Sequence, residues 1–107
     1  MATYRSMHVK IWSDPTFEEL PANEKLLFVY LLTNQHRNEA AVYPLSKKRM
    51  SSETSIPRGE LEAALLALIT VGLVSYDEHE SVVWVKNAIH YQTMNENCIK
   101  SISTMVW

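Results

Sequence analysis

Hydrophobic positions in the second half of the chain recur first at helical spacing and then at alternating spacing. A stripe of apolar residues separated by three or four positions is typical of a helix with one buried face. The stripe consists of Leu61, Ala64, Leu65, Leu68 and Ile69. Gly72 follows at the place where helices commonly end in a left-handed residue. Two β-branched and aromatic stretches come next, separated by a polar tip at 77–81, and this pattern predicts a hairpin.

Two local signals mark where helices begin in residues 45–86. Ser46 is an expected N-cap, and Leu45 and Met50 are spaced for a hydrophobic staple. Pro57 suits the first turn of the next helix, because its missing N–H would have no partner there. The whole segment therefore predicts two short helices and a hairpin, which is the order of a winged helix-turn-helix.

The first half contains a segment, Leu26–Leu32, that is apolar on every side of a helix. A helix of this kind must be buried on most faces. In a chain of 107 residues, that burial requires a central position or a partner subunit. Upstream, Asp14 and Pro15 form an N-cap and first-turn pair for a short helix. Downstream, Pro44 confines a short strand to an edge or a strand end.

The predicted fold is α+β, mainly α: a winged helix-turn-helix with a small antiparallel sheet and a C-terminal helix. The predicted helices cover about 14–20, 22–34, 46–55, 57–71 and 95–106, and the strands about 41–45, 73–77 and 82–86. We assign 1–92 to the winged-helix domain and 93–107 to a C-terminal amphipathic helix. That helical pattern stops at Trp107 without a C-cap, as it would in a fragment of a longer parent chain.

Charge gives limited support for DNA binding. The formal net charge is −2 and the pI is about 6.1, so no global field attracts nucleic acid. Judged by charge alone, the basic residues are better explained as a solvated helix face. Any DNA contact must come from a local cluster of these residues. The candidate DNA contacts are Lys47, Lys48, Arg49, Arg58 and Lys86, with Arg5 and Lys10 as further phosphate contacts. We expect weak, non-specific binding to double-stranded DNA, mainly through the first of the paired helices.

The outer face of the second paired helix lacks the side chains that read bases. It carries Gly59, Ala63, Leu66, Ala67 and Thr70, with Glu60 and Glu62 at its sides. Base readout relies on Arg, Lys, Asn and Gln, and only Arg58 qualifies. A small apolar face suits either a protein interface or a plain exposed surface, and both interpretations stay open. The candidate oligomer interface is Ala63, Leu66, Ala67, Ile99, Ile102 and Val106, and we favour a symmetric dimer.

Several functional classes find no support in the sequence. The longest apolar run has seven residues, and the N-terminus has no signal-peptide core, so we expect no membrane association. A single cysteine, Cys98, fits a reducing compartment, and we expect a cytoplasmic protein. The four histidines are scattered and no glycine-rich phosphate loop is present. We therefore expect no enzyme, no cofactor and no metal site.

Several motifs follow one another along most of the chain. They are the Tyr-Arg-Ser opening, Trp12 before Asp14-Pro15, EKLLFVYLLTN at 24–34, Val42-Tyr43 after a loop, and VKNAIHYQ at 85–92. In this order they resemble the N-terminal winged-helix domain of phage replication proteins, namely the replisome organisers and DnaD-like primosome components. Two features depart from that pattern. The loop has Ala40-Ala41 where the resemblance leads us to expect a glycine, and the tip of the hairpin is acidic.

The resemblance implies a DNA-associated role at a replication origin or primosome, with self-association and contacts to other replisome proteins. One alternative is an oligomerisation or protein-interaction module of the same fold, which the low charge and the apolar surplus favour. Another is a phage transcription regulator, which needs a better reading helix than this one.

Overall fold

The computed structural model describes residues 6–38 and 40–86, which form a small α+β domain. In chain order the elements are a 3-10 helix Val9–Ser13, α1 Pro15–Glu18, α2 Ala22–Thr33, β1 Val42–Pro44, α3 Lys47–Thr54, α4 Arg58–Thr70, β2 Val74–Asp77 and β3 Val82–Val85. Each helix and strand predicted within these residues is present, with its ends shifted by at most two positions. The 3-10 helix was not predicted. The helix predicted over 95–106 lies outside the described residues.

The three strands form one antiparallel sheet in the order β1-β3-β2. In the register, Val42 lies opposite Trp84 and Val74 lies opposite Val85. β1 is an edge strand, as the position of Pro44 predicted. Together, β2 and β3 form the predicted hairpin.

α2 lies at the centre of the domain. Its fully buried residues are Leu27, Phe28, Leu31 and Leu32. Val29 and Tyr30 are half-buried against the same core, and Leu26 is 47% exposed. α4 packs on α2 with the predicted stripe, of which only Ile69 reaches the surface. A central position, rather than a partner subunit, therefore explains a helix that is apolar on nearly every side.

The helix ends follow the predicted local signals. The Ser46 hydroxyl accepts a hydrogen bond from the Arg49 amide at 3.1 Å, so Ser46 caps α3. Asp14 caps α1 in the same way through the Phe17 amide. Gly72 follows α4 with φ of +86°, the left-handed conformation that glycine tolerates best. Pro57 lies one residue earlier than predicted, at the N-cap of α4 rather than in its first turn.

A hydrogen-bonded loop joins α2 to β1. The buried Tyr43 hydroxyl donates to the Leu31 carbonyl at 2.6 Å and accepts from the side-chain amide of Asn34 at 2.8 Å. The Leu31 carbonyl lies in the last turn of α2, where carbonyls lack a helical partner. Ala41 closes the loop with φ of +61°, and its carbonyl accepts from the Val85 amide. The chain therefore adopts a conformation suited to glycine at the position where the resemblance led us to expect one.

Replacing Tyr43 by Phe should lower the free energy of unfolding by about 1–3 kcal/mol, because the Leu31 carbonyl and the side-chain amide of Asn34 each lose a buried hydrogen bond. Tyr76→Phe is the matched control. It removes a hydroxyl that donates to the Leu45 carbonyl at 2.8 Å from a half-buried ring, so its effect should be smaller. Urea denaturation of both variants measures the difference. Equal effects would show that the Tyr43 hydrogen bonds do not hold the loop.

Candidate nucleic-acid interface

Lys47 does not point freely into solvent, although it belongs to the basic cluster found in the sequence. Its side chain is 14% exposed and its ammonium pairs with Glu62 of α4 at 3.3 Å and with Glu78 at the hairpin tip. The ammonium also lies 5.7 Å from the centre of the Tyr76 ring. The hydrogen bond to Glu78 raises the pKa of Lys47 above its ordinary value, so the charge is held in place. Lys47 thus joins α3, α4 and the hairpin, and this arrangement disfavours it as a phosphate contact.

Three other candidate DNA contacts lie on the surface near the first turns of α3 and α4. Lys48 is exposed, and no acidic side chain among residues 6–38 and 40–86 pairs with it. Arg49 and Arg58 have side chains about half exposed, each with a carboxylate four residues further along its helix. Glu62 lies between Arg58, at 3.9 Å, and Lys47, which places the starts of the two helices side by side.

Lys86 lies apart from this group. It follows β3, at the opposite end of the hairpin from the tip, and its amide donates to the Leu73 carbonyl at 2.9 Å. Its ammonium lies 5.4 Å from the centre of the Trp84 ring. The structure therefore does not bring Lys86 together with the cations of α3 and α4.

The hairpin tip is exposed and acidic. Asp77, Glu78 and Glu80 surround His79, and all four are exposed. The Asp77 carboxylate accepts hydrogen bonds from the His79 and Glu80 amides at 2.9 and 3.2 Å, which fixes the turn. Negative charge at this position repels phosphate, so the tip is a poor DNA contact.

The outer face of α4 is as apolar as the sequence indicated. Leu66 is 63% exposed, Ala63 is exposed and Ala67 is half-buried. Ile69 and Val71 add exposed apolar surface near the end of the helix. The other residues of the predicted oligomer interface, Ile99, Ile102 and Val106, lie outside the described residues.

Sequence reasoning missed a polar cluster that connects α2, the following loop and α3. The Tyr30 hydroxyl donates to Glu53 at 2.5 Å, and His36 Nε2 lies 3.0 Å from the other Glu53 oxygen. Arg49 approaches the same carboxylate at 3.6 Å. The bonds from Tyr30 and then His36 hold the pKa of Glu53 below its ordinary value of 4.5, while burial raises that of Tyr30. The residues of this cluster lie on three separate segments of the chain. The i, i+4 spacing of Arg49 and Glu53 is therefore the one feature of the cluster that the sequence displays locally.

Within residues 6–38 and 40–86, no group of histidine, cysteine or carboxylate side chains is arranged to hold a metal ion. None of the helices described there has the length and apolar character needed to cross a membrane. No family model, curated protein or solved structure matches the chain.

Replacing Lys47 by Ala should lower the free energy of unfolding by about 0.5–2 kcal/mol, because it removes two ion pairs and a ring contact and leaves two carboxylates facing each other. Lys48→Ala removes the same charge from an exposed site and should stay within about 0.5 kcal/mol of the parent. Chemical denaturation at moderate salt compares them. Two equally stable variants would show that the Lys47 contacts do not stabilise the fold.

The Glu53 cluster should make the acid stability of the domain depend on one carboxylate. The pKa of Glu53 is lower in the folded state than its ordinary value of 4.5. The ionised Glu53 therefore stabilises the fold above pH 4.5, and this stabilisation is lost as the pH falls through the folded-state pKa. Glu53→Gln should therefore be less stable near neutral pH, and its melting temperature should fall less steeply as the pH is lowered. Tyr30→Phe removes the hydrogen bond that lowers the pKa of Glu53 most, so it should reduce this pH dependence in part. Thermal melts from pH 7 to pH 2 provide the measurement. If the melting temperature of both variants fell with pH as steeply as that of the parent, this account would be contradicted.

Proposed function

We propose that this chain is a winged-helix module of a phage-type DNA replication protein that contacts the DNA backbone without reading its sequence. Support comes first from the order of the elements. Paired helices α3 and α4 precede the hairpin, and β1 joins the sheet beside β3. This is the arrangement expected of a winged helix, with the β2–β3 hairpin as its wing. The motif resemblance adds the replication role.

The observation that carries the proposal is the exposure of Lys48, Arg49 and Arg58 at the starts of the two paired helices. In helix-turn-helix proteins the first helix crosses the backbone and the start of the second approaches the DNA. Cations at these two places suit phosphate contacts. Because the outer face of α4 carries few hydrogen-bond donors and the wing is acidic, we expect few base contacts from this surface.

DNA affinity should therefore be low and strongly dependent on salt. Three phosphate contacts imply a slope of about −2.7 in log affinity against log salt, which is roughly a 40-fold loss between 50 and 200 mM. A triple variant, Lys48→Ala with Arg49→Ala and Arg58→Ala, should abolish binding to a random duplex in fluorescence anisotropy. Lys25→Ala is the control, because it removes a half-buried cation of α2 that is not among the candidate DNA contacts. Full binding by the triple variant would rule out this surface.

A second candidate is an assembly module of the same fold, in which α4 contacts another chain. The specific observation is Leu66, a large hydrophobic side chain that is 63% exposed on a face without positive charge. Such a face is better suited to a protein surface than to DNA. The same protein can use both surfaces, because Leu66 and the exposed cations lie at different places on the helix pair.

Self-association tests this second candidate. If α4 forms a symmetric dimer contact, the parent chain should dimerise at high micromolar concentration, and Leu66→Glu should return it to a monomer because it buries a charge. Ser52→Glu places the same charge on α3 and should leave the dimer intact. Light scattering coupled to size-exclusion chromatography measures the mass. A dimer that persists in Leu66→Glu would show that α4 is not the contact.

A further inference from the structure

An open groove of about 480 Å³ lies between the end of α4 and the segment that carries α1 and the start of α2. Its lining is mixed. Ala67 and Val71 supply apolar surface from α4, and Val71 is 49% exposed. Thr16, Glu19 and Glu24 supply polar groups from the other segment, together with two prolines and a leucine. A partner that fills this groove must therefore provide both an apolar contact and groups that suit carboxylates.

The two carboxylates of the groove have no cationic partner among residues 6–38 and 40–86. Glu19 is exposed and Glu24 is half-buried, and neither takes part in an ion pair or a side-chain hydrogen bond with these residues. The neighbouring Lys25 places its ammonium 5.7 Å from the centre of the Phe17 ring instead. Both carboxylates are therefore available to a ligand.

The end of α4 adds negative charge at the same place. Val71 is the C-cap of α4, and the last turn of this helix contains no basic side chain. The carbonyl end of a helix carries roughly half a negative charge, which acts over its last turn. The groove therefore combines an uncovered apolar side chain with two carboxylates and a negative helix end, and this combination is complementary to a partner that is both apolar and basic.

We propose that the groove binds a protein segment in which a large apolar side chain is flanked by Lys or Arg. The apolar side chain contacts Ala67 and covers Val71, and the basic side chains pair with Glu19 and Glu24. Two other occupants fit less well. The carboxylates repel DNA, and a purely apolar segment takes them out of water without supplying a cation.

Peptide selection tests this proposal on the full-length chain. A library of random peptides displayed on phage is selected for binding to the immobilised chain, and the enriched peptides are synthesised with a fluorescent label. Fluorescence anisotropy then measures their affinity for the unaltered chain and for its variants. Circular dichroism verifies that each variant is folded.

We expect enriched peptides that combine Lys or Arg with a neighbouring large apolar residue. The double variant Glu19→Gln with Glu24→Gln should bind them about tenfold more weakly, because the basic side chains lose their partners. Val71→Ala should also weaken binding, because it removes apolar contact. The matched control, Glu18→Gln with Glu80→Gln, removes two exposed carboxylates that do not line the groove and should keep the affinity within about twofold.

A second measurement uses the unaltered chain alone. Replacing the basic residues of an enriched peptide by Glu should weaken its binding by about tenfold or more, because like charges then meet in the groove. This result does not depend on the folding of any protein variant.

Three results would overturn the proposal. Selection that yields no peptide of this composition would show that the groove lacks the specificity. Equal affinity of the peptides for the unaltered chain and for the double variant would place them elsewhere on the surface. Dimerisation of the unaltered chain in light scattering, lost in Glu19→Gln with Glu24→Gln, would show that a second copy fills the groove.

Discussion

Burial of α2 is the constraint on which the rest of the structure depends. Seven consecutive apolar residues, Leu26–Leu32, cannot face water on any large part of the helix. The domain covers them with α4 on one side, with the elements around Phe17 on another, and with Tyr43 of the sheet near the end of the helix. Because α2 occupies the centre, α3 and α4 must lie at the surface, and their outward faces are the ones available to a partner.

The distribution of charge then distinguishes which of these surfaces suits the proposed DNA contact. Lys47 could have contributed to a basic cluster, but Glu62 and Glu78 hold its ammonium between α4 and the hairpin. The contact orients the hairpin and reduces the positive charge that faces solvent. The proposed binding to phosphate would rely on the exposed cations nearby, and the neighbouring carboxylates would oppose it. A domain arranged in this way suits weak, salt-sensitive association more than tight, sequence-specific binding.

The parts of the fold that could be predicted from the sequence are those that depend on neighbouring residues. Ser46, Asp14 and Gly72 act through neighbours a few residues away, and each behaves as the sequence indicated. The fate of Lys47 could not be predicted, because Glu78 is far away in sequence and reaches it only through the hairpin. The Glu53 cluster depends likewise on three separate segments. Thus elements and exposed faces follow from sequence periodicity, whereas the site's charge distribution requires tertiary contacts.

Amide chemical shifts recorded during titration with DNA would test the central claim most directly. A ¹⁵N-labelled sample receives a random duplex at 50 mM salt. We predict that the largest changes fall on Lys48, Arg49, Arg58 and their neighbours in the first turns of α3 and α4, and that 200 mM salt reverses them. The hairpin tip at 77–81 should change little. Changes centred on that tip, or no changes at millimolar duplex, would contradict the account.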